Sequence, residues 1–168
     1  IAAIIPARMA SNRYPGKPLI EIEGLPMIEH VRRRTIMCPG FSDVVVATCD
    51  KEIFDVVKGY NGNVMMTSED HIMATDRVAE AAETLDCTHI VNVQGDEILI
   101  LPEDLTLMVE TITSYPENSY WNAISKIEND KELADSSIVK CIITTQKKIM
   151  YCSRDFSSLY LNSSFEPV

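Results

Sequence analysis

The chain has 168 residues, of which 46% are hydrophobic and 24% are charged, a composition typical of one globular domain with its own core. Its formal net charge of −10 argues against a nucleic-acid-binding surface, because such a surface is basic. The sequence contains neither an apolar run of the roughly 20 residues that a membrane helix needs nor an N-terminal signal-peptide pattern. We therefore expect a cytoplasmic protein with no membrane partner.

Short β-branched runs alternate with segments of helical period over the first two thirds of the chain, which predicts crossover units and a mainly parallel sheet. Pro26 and Pro102 suit the first turns of two of the helices. The predicted strands are residues 1–6, 43–48, 63–67 and 89–94, and the predicted helices are residues 26–37, 51–59, 75–85 and 102–115.

The pattern changes after Pro116. Residues 121–127, 138–144 and 149–153 predict antiparallel or mixed strands at one edge of the sheet, with a hairpin turn around residues 146–148. The tail, residues 156–168, has no clear period and predicts a loop or the start of a missing segment. We expect one α/β domain over residues 1–168 that lacks its C-terminal part.

The five cysteines form no C-x-x-C pair, and their odd number leaves one outside any set of disulfides. Most of them lie in or beside apolar runs, where cysteine acts as a small hydrophobic residue. We expect reduced thiols without a metal-binding or nucleophilic role: Cys38, Cys49, Cys87, Cys141 and Cys152.

The first motif, IIPARMASNRYPGKPL at residues 4–19, places an apolar strand before a loop that contains Arg8, Arg13 and Lys17. Arginine offers forked donors and lysine a compact charge, so the three cations suit a triphosphate. The loop lacks the spacing of a Walker A motif, and its side chains must therefore neutralise more of the phosphate charge. The alternative is a solvated basic turn.

The second motif, HIVNVQGDEILI at residues 89–100, is an apolar strand that leads into an acidic pair, Asp96 and Glu97. In open α/β sheets, ligands bind outside the carboxyl ends of the strands. A carboxylate there can hold Mg²⁺ against phosphates, and Asp96 is our preferred ligand. The alternative is that both residues cap a helix or occupy a turn.

The third motif, TSEDHIMATDR at residues 67–77, leads into a predicted helix that Thr75 and Asp76 could cap. Arg77 would lie in the first turn, where a cation is unfavourable. We expect a compensating anion, either Asp76, Asp70 or a ligand. A lone loop histidine such as His71 is expected to be exposed.

Together the three motifs resemble the 3-deoxy-manno-octulosonate cytidylyltransferases, or CMP-KDO synthetases. The family pattern is close to IPAR-x-x-S-x-R-x-PGKPL, then TDR-x-AE, then VNVQGDEP. The match is collinear from residue 1 to about residue 154, and it includes GLPMIEHV, VVVATCD, IVKC and YCSR outside the motifs. The resemblance implies a Rossmann-like nucleotidyltransferase fold, a three-layer α/β sandwich with a mainly parallel mixed sheet.

The resemblance implies that the anomeric hydroxyl of KDO, a 3-deoxy sugar acid, attacks the α-phosphorus of CTP. The products are pyrophosphate and a CMP-sugar for lipopolysaccharide or capsule. By the same carry-over, Arg8, Arg13 and Lys17 hold the triphosphate and Asp96 positions Mg²⁺.

The resemblance also implies further substrate-binding positions. Lys140 and Arg154 would face the substrate carboxylate or the phosphates. The remaining positions are Ala7, Ser11, Arg77 and Gln94. Family members continue beyond this chain, and that later part contributes a second acidic metal ligand and much of a homodimer contact.

Three residues depart from the family pattern. Met73 and Ala74 precede Thr75 where the family usually reads SGTDR, and Ile98 follows Glu97 where it reads GDEP. Alanine lacks the left-handed freedom of glycine, and loss of the proline loosens the turn. These changes leave two alternatives open: a cytidylyltransferase for a sialic-acid-like or other acidic acceptor, and a non-catalytic CTP-binding homologue. A Rossmann dehydrogenase is disfavoured, because no G-x-G-x-x-G follows the first strand.

Overall fold

A computed structural model of the chain describes residues 1–10 and 14–155. The chain divides into two compact units, Ile1–Ser119 and Tyr120–Val168, which are described separately. The elements of the first unit are, in chain order, β1 (Ala2–Ala7), a 3-10 turn (Lys17–Leu19), β2 (Glu21–Ile22), β3 (Leu25–Pro26), α1 (Met27–Ile36), β4 (Asp43–Thr48), α2 (Lys51–Gly59), β5 (Asn63–Met66), α3 (Ala74–Ala82), β6 (Ile90–Asn92) and α4 (Pro102–Ser114).

A four-stranded parallel sheet with the order β5-β4-β1-β6 forms the centre of the first unit. The pairing of β1 with β4 runs from Ala2↔Asp43 to Ala7↔Thr48, and on its other side β1 pairs with β6 from Ala2 to Ile4. The predicted mainly parallel sheet is therefore confirmed. All four strands end at one edge of the sheet, which we call the carboxyl edge.

Helices cover both faces of this sheet. The connections from β1 to β4 and from β4 to β5 run in one direction, and the connection from β5 to β6 runs back past β1. Because such crossovers are right-handed, α1 and α2 lie on one face and α3 lies on the other. Ala2, Ala3, Ile4 and Ile5 of β1 accordingly have no exposed surface, as expected for an apolar strand inside a parallel sheet.

Most predicted elements of the first unit are confirmed, and β4 and α2 have the predicted bounds. Two details at helix starts are corrected. Pro26 is the residue that precedes α1 rather than part of its first turn. Thr75 does not cap α3, because the helix begins one residue earlier and the carboxylate of Asp76 reaches back to accept the N–H of Met73 at 3.3 Å.

The β2–β3 hairpin was not predicted from the sequence. Its two-residue turn consists of Glu23 and Gly24, whose φ angles are 51° and 74°, the positive values that favour tight hairpins. His30 of α1 donates from Nε2 to the carbonyl oxygen of Ile22 at 2.8 Å. This bond ties the hairpin to α1.

The second unit contains α5 (Asp130–Ala134), β7 (Lys140–Ile143) and β8 (Ile149–Ser153). β7 and β8 form the predicted hairpin, and its turn is closed by the N–H of Lys147, which donates to the carbonyl oxygen of Thr144 at 2.9 Å. In the described residues, however, this hairpin is a separate two-stranded sheet rather than an edge of the parallel sheet.

The predicted strand at residues 121–127 is wrong. That segment has no regular structure, and residues 122–126 are exposed. An apolar and β-branched pattern becomes a strand only when a second backbone pairs with it. In the described part of this unit, the ladder is formed by β7 and β8 alone.

No helix among the described residues is long and apolar enough to cross a membrane.

Candidate active site at the carboxyl edge of the sheet

The strand order of the parallel sheet reverses at β1, because β4 and β5 lie on one side of it and β6 lies on the other. Ligands of doubly wound sheets bind where the order reverses, outside the carboxyl ends of the strands. The chain leaves β1 within the first sequence motif and leaves β6 within the second, and both strands end at the carboxyl edge. The sheet therefore brings together two segments that are about 80 residues apart in the sequence.

Hydrogen bonds hold both ends of the loop after β1. The N–H of Met9 donates to Oδ2 of Asp50 at 2.7 Å, and the carbonyl oxygen of Met9 accepts the N–H of Gly16 at 2.9 Å. Gly16 has a φ of 75°, a left-handed conformation that glycine adopts without strain. Ser11 and Arg13, both predicted to bind substrate, lie outside the described residues.

Lys17 and Asp96 form an ion pair across the carboxyl edge. Nζ of Lys17 lies 2.6 Å from Oδ2 of Asp96, and the two side chains are 38% and 51% exposed. The predicted phosphate-binding lysine and the predicted metal ligand are therefore direct neighbours. Because both groups are substantially exposed, the pair itself stabilises the fold by no more than about 1 kcal/mol, and a bound polyanion can separate it.

Gly95 allows the chain after β6 to approach β1 closely. A Cβ atom at this position would lie 2.6 Å from the carbonyl oxygen of Pro6, well inside contact distance. The N–H of Val93 also donates to the carbonyl oxygen of Ile4 at 3.0 Å. The position of Asp96 thus depends on the absence of a side chain one residue earlier.

Arg8 follows β1 directly and is exposed. Its Nη1 donates to the carbonyl oxygen of Ile72 at 3.3 Å, so this cation bridges the loops after β1 and β5.

A small open cavity of about 80 Å³ lies beside Arg8, and its lining includes Ala7, Arg8, Ala74 and Arg77. Ligand pockets for small molecules usually measure about 300–1,000 Å³, so this cavity matches part of a nucleotide at most.

Arg77 of α3 is 2% exposed. Its guanidinium donates from Nη1 to Oγ1 of Thr67 and from Nη2 to Sγ of Cys49 at 3.2 Å. The expected anion, Asp76 or Asp70, is not its hydrogen-bond partner, because Asp76 binds Met73 and Asp70 binds Ser68. Its hydrogen-bond partners are neutral acceptors at the ends of β4 and β5, while the carboxylate of Glu80 interacts with it electrostatically. Compensation by a ligand stays a prediction.

His71 is half-buried, contrary to expectation. Its Nε2 donates to Oε2 of Glu80 at 2.5 Å, and the same carboxylate oxygen accepts the N–H of Ser68 at 2.9 Å. The bond from Ser68 and then that from His71 lower the pKa of Glu80 below its ordinary value. The loop between β5 and α3 is thereby fastened to α3.

Gln94 is exposed just beyond β6, and its Nε2 donates to Oδ1 of Asn92 at 3.1 Å. Its amide therefore lies at the carboxyl edge, as the sequence predicted. Substrate contact by Gln94 stays a prediction, as it does for Ala7 and Arg77.

Lys140 and Arg154 lie in the second unit, on the hairpin and just after it. Lys140 is 4% exposed, and its Nζ donates to the carbonyl oxygens of Asp135 and Arg154, the latter at 2.7 Å. Arg154 donates from Nη1 to the carbonyl oxygens of Ser136 and Ser137. Both cations thus bind backbone of their own unit, and their contact with substrate stays a prediction.

Sequence reasoning missed three residues of this edge: Cys49, Asp50 and Thr67. Asp50 positions the loop after β1, while Cys49 and Thr67 hold Arg77. All three follow β4 or β5 directly. The rule that drew attention to Asp96, a polar residue just after a buried strand, would also have found Asp50 and Thr67.

Two of the three departures from the family pattern have no conformational cost here. Ala74 lies in the first turn of α3 and is not among the residues with positive φ, so its backbone does not need a glycine. The N–H of Ile98 donates to the carbonyl oxygen of Asp96 at 3.0 Å, a bond that proline could not make. This bond closes the turn after Asp96 in the absence of proline, and a looser turn stays a prediction.

Comparison with known proteins agrees with this arrangement. The cytidylyltransferase family model matches residues 2–166. The chain belongs to the cytidylyltransferase family. The resemblance seen in the sequence and the predicted nucleotidyltransferase fold are both confirmed.

Individual members of the cytidylyltransferase family give a finer comparison. A 3-deoxy-manno-octulosonate cytidylyltransferase of Protochlamydia amoebophila is 36% identical over 99% of this chain and 66% of its own length. One of Geobacter sulfurreducens is 42% identical over 92% of this chain and 62% of its own length. This chain thus spans slightly less than two thirds of both relatives.

A solved structure of CMP:2-keto-3-deoxy-manno-octonic acid synthetase complexed with CTP is also similar. It superposes with a TM-score of 0.87 at 32% identity, and covers 99% of this chain and 68% of the solved one. The similarity extends over both compact units of the chain.

We expect Gly95→Ala to lower the free energy of unfolding by about 1–3 kcal/mol, because the new methyl group meets a backbone oxygen that cannot move aside. Gly59→Ala is the matched control, because nothing lies within 4 Å of its Cβ position. Urea unfolding of the two variants would measure the difference. A Gly95→Ala protein as stable as the wild type would contradict the close approach to Pro6.

Proposed function

We propose that this chain is the nucleotide-activating part of a 3-deoxy-manno-octulosonate cytidylyltransferase. The reaction is transfer of CMP from CTP to the anomeric hydroxyl of KDO, with release of pyrophosphate. Two lines of comparison support it: the names of the Protochlamydia and Geobacter relatives and the CTP complex of the similar solved structure. Because the chain spans 66% and 62% of those relatives, the activity of the whole protein is part of the proposal.

The observation that carries the proposal is the meeting of Arg8, Lys17 and Asp96 around the end of β1. Two cations and one carboxylate at the carboxyl edge match a triphosphate and its counter-ion. The chain as a whole has a strongly negative charge balance, with a formal net charge of −10. Such a local positive group favours a small anionic ligand over a polyanionic partner.

The chemistry needs alignment and charge neutralisation more than a covalent nucleophile. The sugar hydroxyl forms a bond to the α-phosphorus, while the bond between that phosphorus and the oxygen bridging to the β-phosphate breaks. Arg8 and Lys17 would hold the phosphate oxygens on which negative charge increases. Arg13 belongs to the same proposal by its place in the motif.

Mg²⁺ is the proposed cofactor, and Asp96 is the residue that would hold it. Magnesium is commonly bound by one or two carboxylates together with substrate phosphates. The described residues fit that mode, because the carboxylate of Asp96 is half exposed and lies beside Lys17, the proposed phosphate-binding residue. When bound, the ion neutralises and orients phosphate oxygens.

The ion pair between Lys17 and Asp96 suggests how substrate would enter. Each group is the other's partner at 2.6 Å. A triphosphate with its metal offers an anion to Lys17 and a cation to Asp96, so both charges stay paired when they separate. We infer that Lys17 and Asp96 separate by exchanging each other for the ligand's charges. Neither side chain is then left unpaired when substrate binds.

Three finer points belong to the same proposal. A homodimer is inferred from the family resemblance. A cytoplasmic location and a role in making lipopolysaccharide or capsule follow from the proposed substrates.

An acceptor other than KDO is the second candidate function, since Met73 and Ala74 are exposed beside the small cavity where the family pattern has other residues.

Pyrophosphate release tests the function. The purified protein would receive Mg²⁺, CTP and KDO, with ATP, GTP, UTP and sialic acid as comparison substrates. We expect release that requires both CTP and KDO. Release with sialic acid alone would favour the second candidate, and absence of both release and CTP binding would overturn the proposal.

Asp96→Ala should abolish turnover, because it removes the proposed metal ligand. Asp55→Ala is the matched control, because Asp55 pairs with Lys51 at 2.9 Å on the exposed surface of α2 and has no place in the sequence motifs. The measurement is pyrophosphate release as a function of Mg²⁺ concentration, with thermal unfolding to check the fold. Near wild-type turnover in the Asp96 variant would refute the metal assignment.

Lys17→Ala should weaken CTP binding roughly 10-fold to 100-fold, the usual loss for a charge-assisted hydrogen bond of about 1.5–3 kcal/mol. Lys58→Ala removes an exposed lysine from the last turn of α2, at the opposite end of that helix from β4, and serves as the control. Calorimetric titration with CTP and Mg²⁺ gives both dissociation constants. Equal values for the two variants would remove Lys17 from the site.

A further inference from the structure

Two thiols face each other in the second unit. Cys141 of β7 is paired directly with Cys152 of β8 in the antiparallel ladder, and their sulfur atoms lie 3.2 Å apart. Cys152 is exposed and Cys141 is partly buried. Two other cysteine sulfurs have different hydrogen-bond partners. Cys38 accepts from Thr106, and Cys49 contacts Asp50 and Arg77.

The backbone at this pair suits a disulfide. Residues directly opposite in an antiparallel ladder have Cα atoms about 4.5 or 5.5 Å apart, and both distances lie inside the range of about 4.4–6.8 Å that disulfides require. The sulfur atoms need to approach by only about 1.2 Å to reach a bond length of about 2.0 Å. A bulge beside the pair, between Ile142 and Ile143, gives the strand local freedom to adjust.

A metal ion fits this pair less well. Two thiolates on one tetrahedral zinc ion lie about 3.8 Å apart, given a zinc–sulfur bond of about 2.3 Å. The sulfurs here are closer than that, at 3.2 Å. Within the described residues, no third histidine, cysteine or carboxylate completes a metal site with them.

We propose that Cys141 and Cys152 are a redox-active pair that forms a reversible disulfide across the β7–β8 hairpin. This revises the expectation that all five cysteines act only as small hydrophobic residues.

The environment of the two thiols sets the order of events. The hydrogen bond to Cys152, and then partial burial, raise the pKa of Cys141 above its ordinary value. Cys141 therefore keeps its proton to higher pH than an ordinary cysteine thiol does. Cys152, which is exposed, is the sulfur that an oxidant reaches first.

The oxidant is a small-molecule disulfide such as oxidised glutathione. The Cys152 thiolate attacks one sulfur of that disulfide, and the first glutathione leaves as a thiolate. The Cys141 thiolate then attacks the sulfur of Cys152 and expels the second glutathione. The two protein thiols lose two electrons and two protons in total; the electrons reduce the oxidant, and the protons go to the two leaving thiolates.

The disulfide would fix the segment that holds Lys140 and Arg154. Lys140 directly precedes Cys141, and its Nζ donates to the carbonyl oxygen of Arg154 at 2.7 Å, two residues after Cys152. A covalent bond between the strands keeps this contact from opening. The proposal for the thiols does not depend on the proposed enzymatic activity, because it rests on the hairpin alone.

Peptide mapping tests the disulfide. The protein is incubated with oxidised or reduced glutathione, its free thiols are blocked with N-ethylmaleimide, and it is digested with trypsin. Trypsin cuts between the two cysteines, giving CIITTQK, residues 141–147, and IMYCSR, residues 149–154. We expect these peptides to be linked after oxidation, roughly tenfold or more above any other linked pair, because their proximity raises the effective concentration. They should separate after treatment with dithiothreitol.

Two variants make the result specific. Cys152→Ser should lose the linked peptides, and Cys87→Ser, which removes a thiol from the first unit, should keep them. Intact mass should show an oxidised monomer that has lost two hydrogen atoms. Stable glutathione adducts on Cys152, disulfide-linked dimers, or unlinked peptides from oxidised protein would each overturn the proposal.

Discussion

The position of β1 is the constraint on which the rest of the first unit depends. It pairs along both edges, with β4 and with β6, and its apolar residues are buried from both faces. Because its pairing with both neighbours is parallel, the chain must leave β1, β4 and β6 at the same edge. Arg8, Asp50 and the segment up to Asp96 are neighbours for that reason, and any change that displaced β1 would separate them.

Three cations at the carboxyl edge have partners within the described part of the chain. Lys17 binds Asp96, Arg8 binds the carbonyl oxygen of Ile72, and Arg77 binds Thr67 and Cys49. These partners differ in how easily they are replaced. Arg77 is almost fully buried, so its contacts are part of the structure, whereas Lys17 and Arg8 are exposed and their contacts compete with solvent. The site thus combines one fixed cation with two that can change partners.

The sequence predicted well the elements whose signal is local. The continuous apolar run at 43–48 and the amphipathic segment at 51–59 have the predicted bounds. Features that depend on distant partners were missed or wrong. Residues 121–127 have a strand-like pattern without a partner strand, and Asp50 gains its role only because Met9 lies beside it. Motif resemblance located Lys17 and Asp96, but their direct pairing is a property of the fold.

The departures at residues 73, 74 and 98 alter the surface of the site more than its framework. Asp76 binds the backbone N–H of Met73, so the start of α3 does not depend on which side chain residue 73 carries. Ile98 supplies an N–H that closes the turn after Asp96. The framework groups Lys17, Asp96, Gly95 and Arg77 keep their contacts beside these residues. Met73 is exposed at the small cavity, so its departure from the family pattern changes the surface of the carboxyl edge and leaves the contacts beneath it in place.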